Sequence, residues 1–416
     1  MLYIIKPIAL LSLVIFLGMP IFLLAQNKCA SIEVRQSFLD ADDKWDIRKM
    51  AMENAISDWI QLAGERIQQR TVITIPVVVH IVYNNPVENI SDEQIISQID
   101  ILNQDFRATN LEIPSIPVFF QPLIADVEFE FCLATIDPDG NATTGITRKF
   151  TNNPVGIGGT SAIHYTTQGG QNAWDTNRYL NIWVAKFAGG IGGIASFPGI
   201  GPPEEDGVEI NYLQFGNINV TPPFHLGRTL THEIGHYFNL EHPWGPELND
   251  CCSDDFVADT PKACETYIGQ CPTHPVVSCD QPDVFMNFMF YTNDDCMGMF
   301  TNGQKLRMWA TLNTIRPGLL NNQACDPLQT GETTADVGLK VLSNPAHGQL
   351  IFEIEKGTFN QNHVKLIDIN GRIFSQMNIR TGGLQTLDLR GIAPGLYFLV
   401  YENGQRHSIE KVVIMP

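Results

Sequence analysis

The run His232-Glu233-Ile234-Gly235-His236-Tyr237-Phe238-Asn239-Leu240-Glu241-His242 holds three histidines, with a glutamate next to the first. On a helix, His232 and His236 project from one face, a turn apart. Imidazole is a common zinc ligand, and two on one helical face can share an ion. Glu233 then lies where a carboxylate takes a proton from water on that ion. His242, six residues past His236, reaches the ion only where the helix stops and the chain bends back. The bland alternative is a chance HExxH whose histidines pack in a core. With 10 histidines in 416 residues, a third at the required offset filters such accidents roughly forty-fold.

Downstream, Phe285-Met286-Asn287-Phe288-Met289-Phe290-Tyr291 carries a methionine, Met289, two residues before a tyrosine. Other characteristic pieces are Tyr179-Leu180-Asn181-Ile182-Trp183-Val184, Asp206-Gly207-Val208-Glu209-Ile210 and Asp259-Thr260-Pro261. With these pieces, over most of residues 75–325, the chain resembles the pappalysin or cytophagalysin group of metzincins, whose motif is H-E-x-x-H-x-x-G-x-x-H. The resemblance implies a secreted zinc endopeptidase acting on proteins or peptides. His232, His236 and His242 would be ligands, and Glu233 the general base on a zinc-bound water. Met289 would lie beneath the imidazoles, and Tyr291 would bond the oxyanion. Position 239 departs from the motif, with asparagine for glycine. Asparagine is the best non-glycine residue for a left-handed turn, so the bend is still expected.

The resemblance also implies an α+β metzincin-type domain, a mixed twisted sheet plus helices with substrate extended along the edge strand. It implies disulfides Cys252–Cys279 and Cys271–Cys296 clamping the loop between the zinc run and the methionine turn, with Cys251–Cys264 as a weaker pairing. It implies a calcium site near Asp254, Asp255, Asp259 and Thr260, which offer hard oxygen donors; a solvated acidic turn is the alternative. Asp295 becomes a candidate for the pocket after the scissile bond, as in relatives that prefer Arg or Lys there. Its alternative is an exposed turn carboxylate.

A formal net charge of −19 disfavours nucleic acid as a partner. Lys6 followed by an apolar run ending at Ala25 reads as a signal peptide over residues 1–25, with a membrane anchor as its alternative. Nine cysteines in an exported chain imply disulfides and at least one leftover thiol. Residues 26–70 lie where secreted peptidases keep a propeptide, with an imperfect apolar stripe of Trp45, Ile47, Met50, Ile56, Trp59 and Ile60. Cys29 there is either a zymogen switch, its thiolate a fourth zinc ligand, or half of a plain disulfide.

The peptidase domain is expected over 71–325, opening on a buried strand at Ile75–Tyr83 in which His80 is a core residue. Ser91-x-x-Gln94 and Thr301-x-x-Gln304 fit capping boxes. Further strands are expected at Val127–Leu133, Leu180–Val184 and Val208–Tyr212, and the active-site helix at Leu226–Leu240. Gly189, Gly190, Gly192 and Gly193 mark either a close approach by another backbone or a mobile loop. Residues 326–338 read as a linker, and 339–416 as a small all-β sandwich. The latter resembles the sorting domain of the type IX secretion system, through Asn344-Pro345-Ala346, Asp368-Ile369-Asn370-Gly371-Arg372, Gly395-Leu396-Tyr397-Phe398 and Lys411-Val412-Val413. That resemblance implies outer-membrane secretion machinery as a partner and a secreted or cell-surface location. The rival functions are a non-catalytic surface adhesin on a zincin scaffold and an exopeptidase.

Overall fold

A computed structural model describes residues 29–40, 45–63, 72–247, 250–320, 323–325, 339–354, 362–368, 372–379, 382–403 and 406–415. The expected signal peptide and linker, and Asn370-Gly371, lie outside the described residues. No described helix is long and apolar enough to cross a membrane. The chain divides into two compact units, Met1–Leu328 and Gln329–Pro416.

The first unit begins with α1 (Ser31–Leu39) and α2 (Trp45–Ala63). The stripe expected on α2 is only partly buried: Ile56 is enclosed, whereas Met50 is exposed. Next comes β1 (Ile73–Tyr83), apolar on both faces because both are covered. Ile75, Val77, Val79 and Ile81 join the main core, and Val78 and Val82 pack on the opposite side. His80, on that second face, is fully buried and bonded to Thr147 Oγ1 at 2.7 Å and Asn181 Oδ1 at 3.0 Å. Burial lowers its pKa to about 4. It is a core residue.

Helix α3 (Asp92–Phe106) lays Ile95, Ile99, Leu102 and Phe106 into the main core. Ser91 caps it, accepting from Gln94 N, but the box does not close. The Gln94 side chain turns inward and donates to the buried Phe215 carbonyl at 2.8 Å. Strands β2 (Phe129–Leu133) and β3 (Ile146–Phe150) pair in parallel with the first and second halves of β1, and β4 (Leu180–Ala185) pairs with its other edge. Then β5 (Gly193–Ala195) runs antiparallel to β6 (Val208–Asn211), which pairs in parallel with β4. The order β2-β1-β4-β6-β5 leaves β5 at the edge. Strand β3, Ile146-Thr147-Arg148-Lys149-Phe150, was not anticipated, because its polar, half-exposed residues carry no apolar run.

Helix α4 (Arg228–Tyr237) is shorter at both ends than the expected Leu226–Leu240. Past the methionine turn, α5 (Asn302–Thr314) starts on a closed capping box between Thr301 and Gln304. A Cys325–Cys132 disulfide ties the end of this unit back to β2.

The second unit is built of β7 (Leu339–Val341), β8 (Ala346–His347), β9 (Gln349–Ile354), β10 (Asn362–Asp368), β11 (Ile373–Ile379), β12 (Gly383–Asp388), β13 (Gly395–Asn403) and β14 (Arg406–Met415). They pair in the order β11-β10-β13-β14-β8-β9-β12, with β7 on β9. Alternate residues of both halves, such as Leu350, Phe352, Val364, Leu366, Leu399 and Val412, enter one core.

Candidate metal centre

Helix α4 carries His232, Glu233 and His236 fully buried. It stops because Asn239 takes a left-handed backbone, φ 69°. Leu240 N then bonds Gly235 O at 2.9 Å and Asn239 N bonds His236 O at 2.8 Å, the two bonds of a Schellman cap. The turn returns His242 to the helix. Its Leu240 carbonyl also accepts from His236 Nδ1 at 2.7 Å, so one feature aims two imidazoles.

His232 Nδ1 lies 2.7 Å from the Phe288 carbonyl. Carbonyls only accept, so Nδ1 of His232 and of His236 carries the hydrogen and Nε2 is a bare lone pair. The three Nε2 atoms converge, with 3.1 Å from His236 to each of the others and 3.2 Å between His232 and His242. Lone pairs this close repel unless a cation stands between them. Ligands around a tetrahedral zinc would be roughly 3.3 Å apart. Burial holds His236 down at about 3 and His242 below its ordinary value, so these two imidazoles are neutral donors.

Cys29 Sγ joins the three histidines within 4.8 Å, the only such group of metal-ligating side chains among the described residues. Cys29 is the unpaired cysteine. Burial, then the Glu233 carboxylate, push its thiol well above the usual range, so a thiolate there requires a positive charge beside it. The donor set therefore fits zinc.

Glu233 Oε2 accepts from Ser31 Oγ at 2.6 Å and lies 3.5 Å from Cys29 Sγ. Its side chain rests on Gly193, where an added Cβ would come within 2.7 Å of Glu233 Cγ. That is one reason for glycine on the edge strand. A second backbone does approach there: Ala30 N donates to Gly193 O at 3.1 Å, in a parallel bridge. Met289 is buried with its sulfur against Gly235, where a Cβ would collide with it. The Asn287–Gln304 amide pair, at 2.7 and 3.1 Å, fixes the methionine turn to the start of α5. The Tyr291 ring lies 5.5 Å from that of His232 and 5.0 Å from that of His242. Burial, then Cys29 and Glu233, raise its phenol well above the ordinary value, leaving it a hydrogen-bond donor. Trp244 stacks on His242 at 4.4 Å.

Other supports were not legible beforehand. Asp294, fully buried, accepts from Leu226 N at 2.8 Å and Arg228 N at 3.3 Å, satisfying donors at the start of α4. Asp105 of α3 accepts from Thr231 Oγ1 at 2.6 Å and pairs with Arg228.

Cys252 is bonded to Cys279, Cys271 to Cys296, and Cys251 to Cys264. The four calcium candidates differ in their surroundings. Both Asp259 oxygens are engaged at the start of α5, by Thr301 Oγ1 at 2.7 Å and Gly303 N at 2.8 Å. Asp254 is exposed and faces Lys262 at 3.9 Å, whereas Asp255 is buried and accepts from Val257 N. Asp255 Oδ2 and Thr260 Oγ1 are buried with no hydrogen-bond partner among the described residues, oxygen donors of the kind a hard cation takes. Asp295 is 55% exposed, 3.9 Å from His225.

On β6, Glu209 accepts from Gly159 N at 2.8 Å and lies 3.4 Å from His164 Nε2, both side chains buried. Burial raises Glu209 to about 8, helped by Glu205 and Glu233, and lowers His164 to about 4. The pair is uncharged at neutral pH. A carboxyl whose folded pKa exceeds its unfolded value, 4.5, stabilises most below that value and loses the contribution as pH rises through 8. The thermal midpoint should therefore fall between about pH 6 and about pH 9 by several degrees more than in Glu209→Gln. Equal slopes in calorimetry would remove the assignment.

The profile described as Pregnancy-associated plasma protein-A matches residues 165–313, and that of a secretion-system C-terminal sorting domain matches 340–415. An extracellular metalloprotease of Arthroderma otae is 27% identical over 258 residues, 59% of this chain and 80% of that protein. Mature mirolysin of Tannerella forsythia, solved with a cleaved peptide, is 41% identical with TM-score 0.58, covering 62% of this chain and 99% of its own. A promirolysin mutant from that organism is 37% identical with TM-score 0.60, covering 70% and 96%. The chain therefore belongs to the pappalysin family, as a secreted or cell-surface metalloendopeptidase with a type IX sorting domain.

Proposed function

We propose that His232, His236 and His242 hold a catalytic zinc, with Glu233 the general base of peptide-bond hydrolysis in protein substrates. One observation carries this reading: three Nε2 atoms, two of them bare lone pairs, meet at 3.1–3.2 Å beside a buried carboxylate. Zinc bound there supplies Lewis acidity toward the scissile carbonyl and lowers the pKa of water. Glu233 takes the proton of the attacking water and delivers it to the leaving amine. The Tyr291 phenol donates to the developing oxyanion, and Met289 supports the imidazoles from below. Elemental analysis of the purified mature protein should find stoichiometric zinc, lost in His242→Ala, and casein hydrolysis should stop with a chelator. Hydrolysis that survives both treatments would sink the proposal.

Residues 1–25 are assigned as signal peptide, 26–70 as propeptide, 71–325 as peptidase, 326–338 as linker and 339–416 as the sorting domain that engages the secretion machinery. Cys29 is the latch, its thiol against the three imidazoles and Glu233. The parallel course of Cys29–Ala30 along Gly193 and the larger share matched by promirolysin than by mature mirolysin support this. Asp295 offers its exposed carboxylate to a basic side chain after the scissile bond. A peptide library should then show enrichment of Arg or Lys there, reduced in Asp295→Asn, and a flat profile would discard that role.

A further inference from the structure

We propose that Asn239 and Arg307 form a carboxylate-docking site for Glu53, through which the N-terminal segment grips the turn that delivers His242. This rests on reading that segment as a removable propeptide. The left-handed backbone at position 239 would be met more easily by glycine, which the metzincin motif carries there. Asparagine supplies what glycine lacks. Its Nδ2 donates to Glu53 Oε1 at 3.2 Å.

Arg307 of α5, almost wholly buried, completes the site. Its Nε donates to the Asn239 carbonyl at 2.7 Å, and its two terminal nitrogens reach the Glu53 oxygens at 2.9 and 2.7 Å. A bidentate guanidinium–carboxylate pair is directional and among the stronger polar contacts. Burial works against the Glu53 charge, yet the bonds from Arg307 hold it below the ordinary carboxylate range. Glu53 thus ties α2 directly to the side chain of the residue that turns the chain and, through Arg307, to its backbone.

Two residues on, the polarity reverses. Glu241 accepts from Arg35 of α1 at 2.6 Å, both side chains buried. The N-terminal segment therefore brings an anion to Asn239 and a cation to Glu241, either side of the Leu240 carbonyl that orients His236. This grip is separate from the Cys29 contact with the imidazoles, so breaking one leaves the other.

The test is hydrogen–deuterium exchange on the full-length chain carrying Glu233→Ala, which removes the proposed general base. Adding Glu53→Gln should raise exchange in 45–63 by roughly tenfold or more while the sheet strands keep theirs. Asn239→Gly, which keeps the turn and loses one donor, should give a smaller rise in the same segment. Cys29→Ser should leave 45–63 protected. Unchanged exchange in Glu53→Gln would overturn the proposal, as would an equal rise throughout 72–325, which would make Glu53 a general stability element. The readout needs no proteolysis. Failure of the peptidase reading would show instead as an inactive, metal-free mature protein.

Discussion

Glu233→Gln is expected to lower kcat/KM on a protein substrate by roughly a thousand-fold or more, with zinc content unchanged. Glutamine has the same shape, so packing against Gly193 survives and the three imidazoles are undisturbed. Only the capacity to accept a proton goes. The effect should fall on kcat more than on KM, because the carboxylate is needed in the transition state. Activity and elemental content must be measured on one preparation, freed of its N-terminal segment, since Ser31 and Cys29 otherwise occupy the carboxylate. A variant keeping more than about a tenth of wild-type activity would remove Glu233 from the mechanism.

The parts of this site readable in the sequence are those in which the chemistry is local. His232 to His242 places three imidazoles, a carboxylate and a turn within one run, and the left-handed Asn239 is a property of that residue type. Met289 and Tyr291 were legible through a motif, since their own types say only that they are apolar or aromatic. Patterns that depend on surroundings fared worse. Ser91-x-x-Gln94 and Thr301-x-x-Gln304 look alike, yet only the second box closes, because a buried carbonyl at Phe215 draws Gln94 away. Of the four residues with hard oxygen donors after the zinc run, the start of α5 takes Asp259, an engagement that spacing does not reveal. Cys132 and Cys325 pair across 193 residues, a separation no spacing rule spans. A separation of 123 residues likewise hid the anchor of α4.

That anchor gives the largest expected effect on stability. Arg228, the first residue of α4, is 5% exposed and pairs with Asp105, which is wholly buried, and with Glu112 at 2.7 Å. Its guanidinium also lies 5.6 Å over the Phe288 ring, the residue whose carbonyl orients His232. Burial pushes Asp105 up to about 6 even with Arg228 beside it. Arg228→Met keeps the bulk of the side chain but leaves a buried carboxylate without its counter-charge, which should cost about 3–5 kcal/mol. The pH dependence follows. With the cation gone, the folded-state pKa of Asp105 rises further above its unfolded value, so the variant should be most stable in acid and lose ground as pH climbs through that pKa. Arg228→Met with Asp105→Leu should recover much of the loss, since an apolar pair leaves no stranded charge, though Thr231 Oγ1 and Glu112 then lose a partner. Denaturant titrations of the single and double variants decide it. A single variant within about 1 kcal/mol of wild type would mean the pair contributes no more than a surface contact, and α4 must then be held by its apolar face and by Asp294.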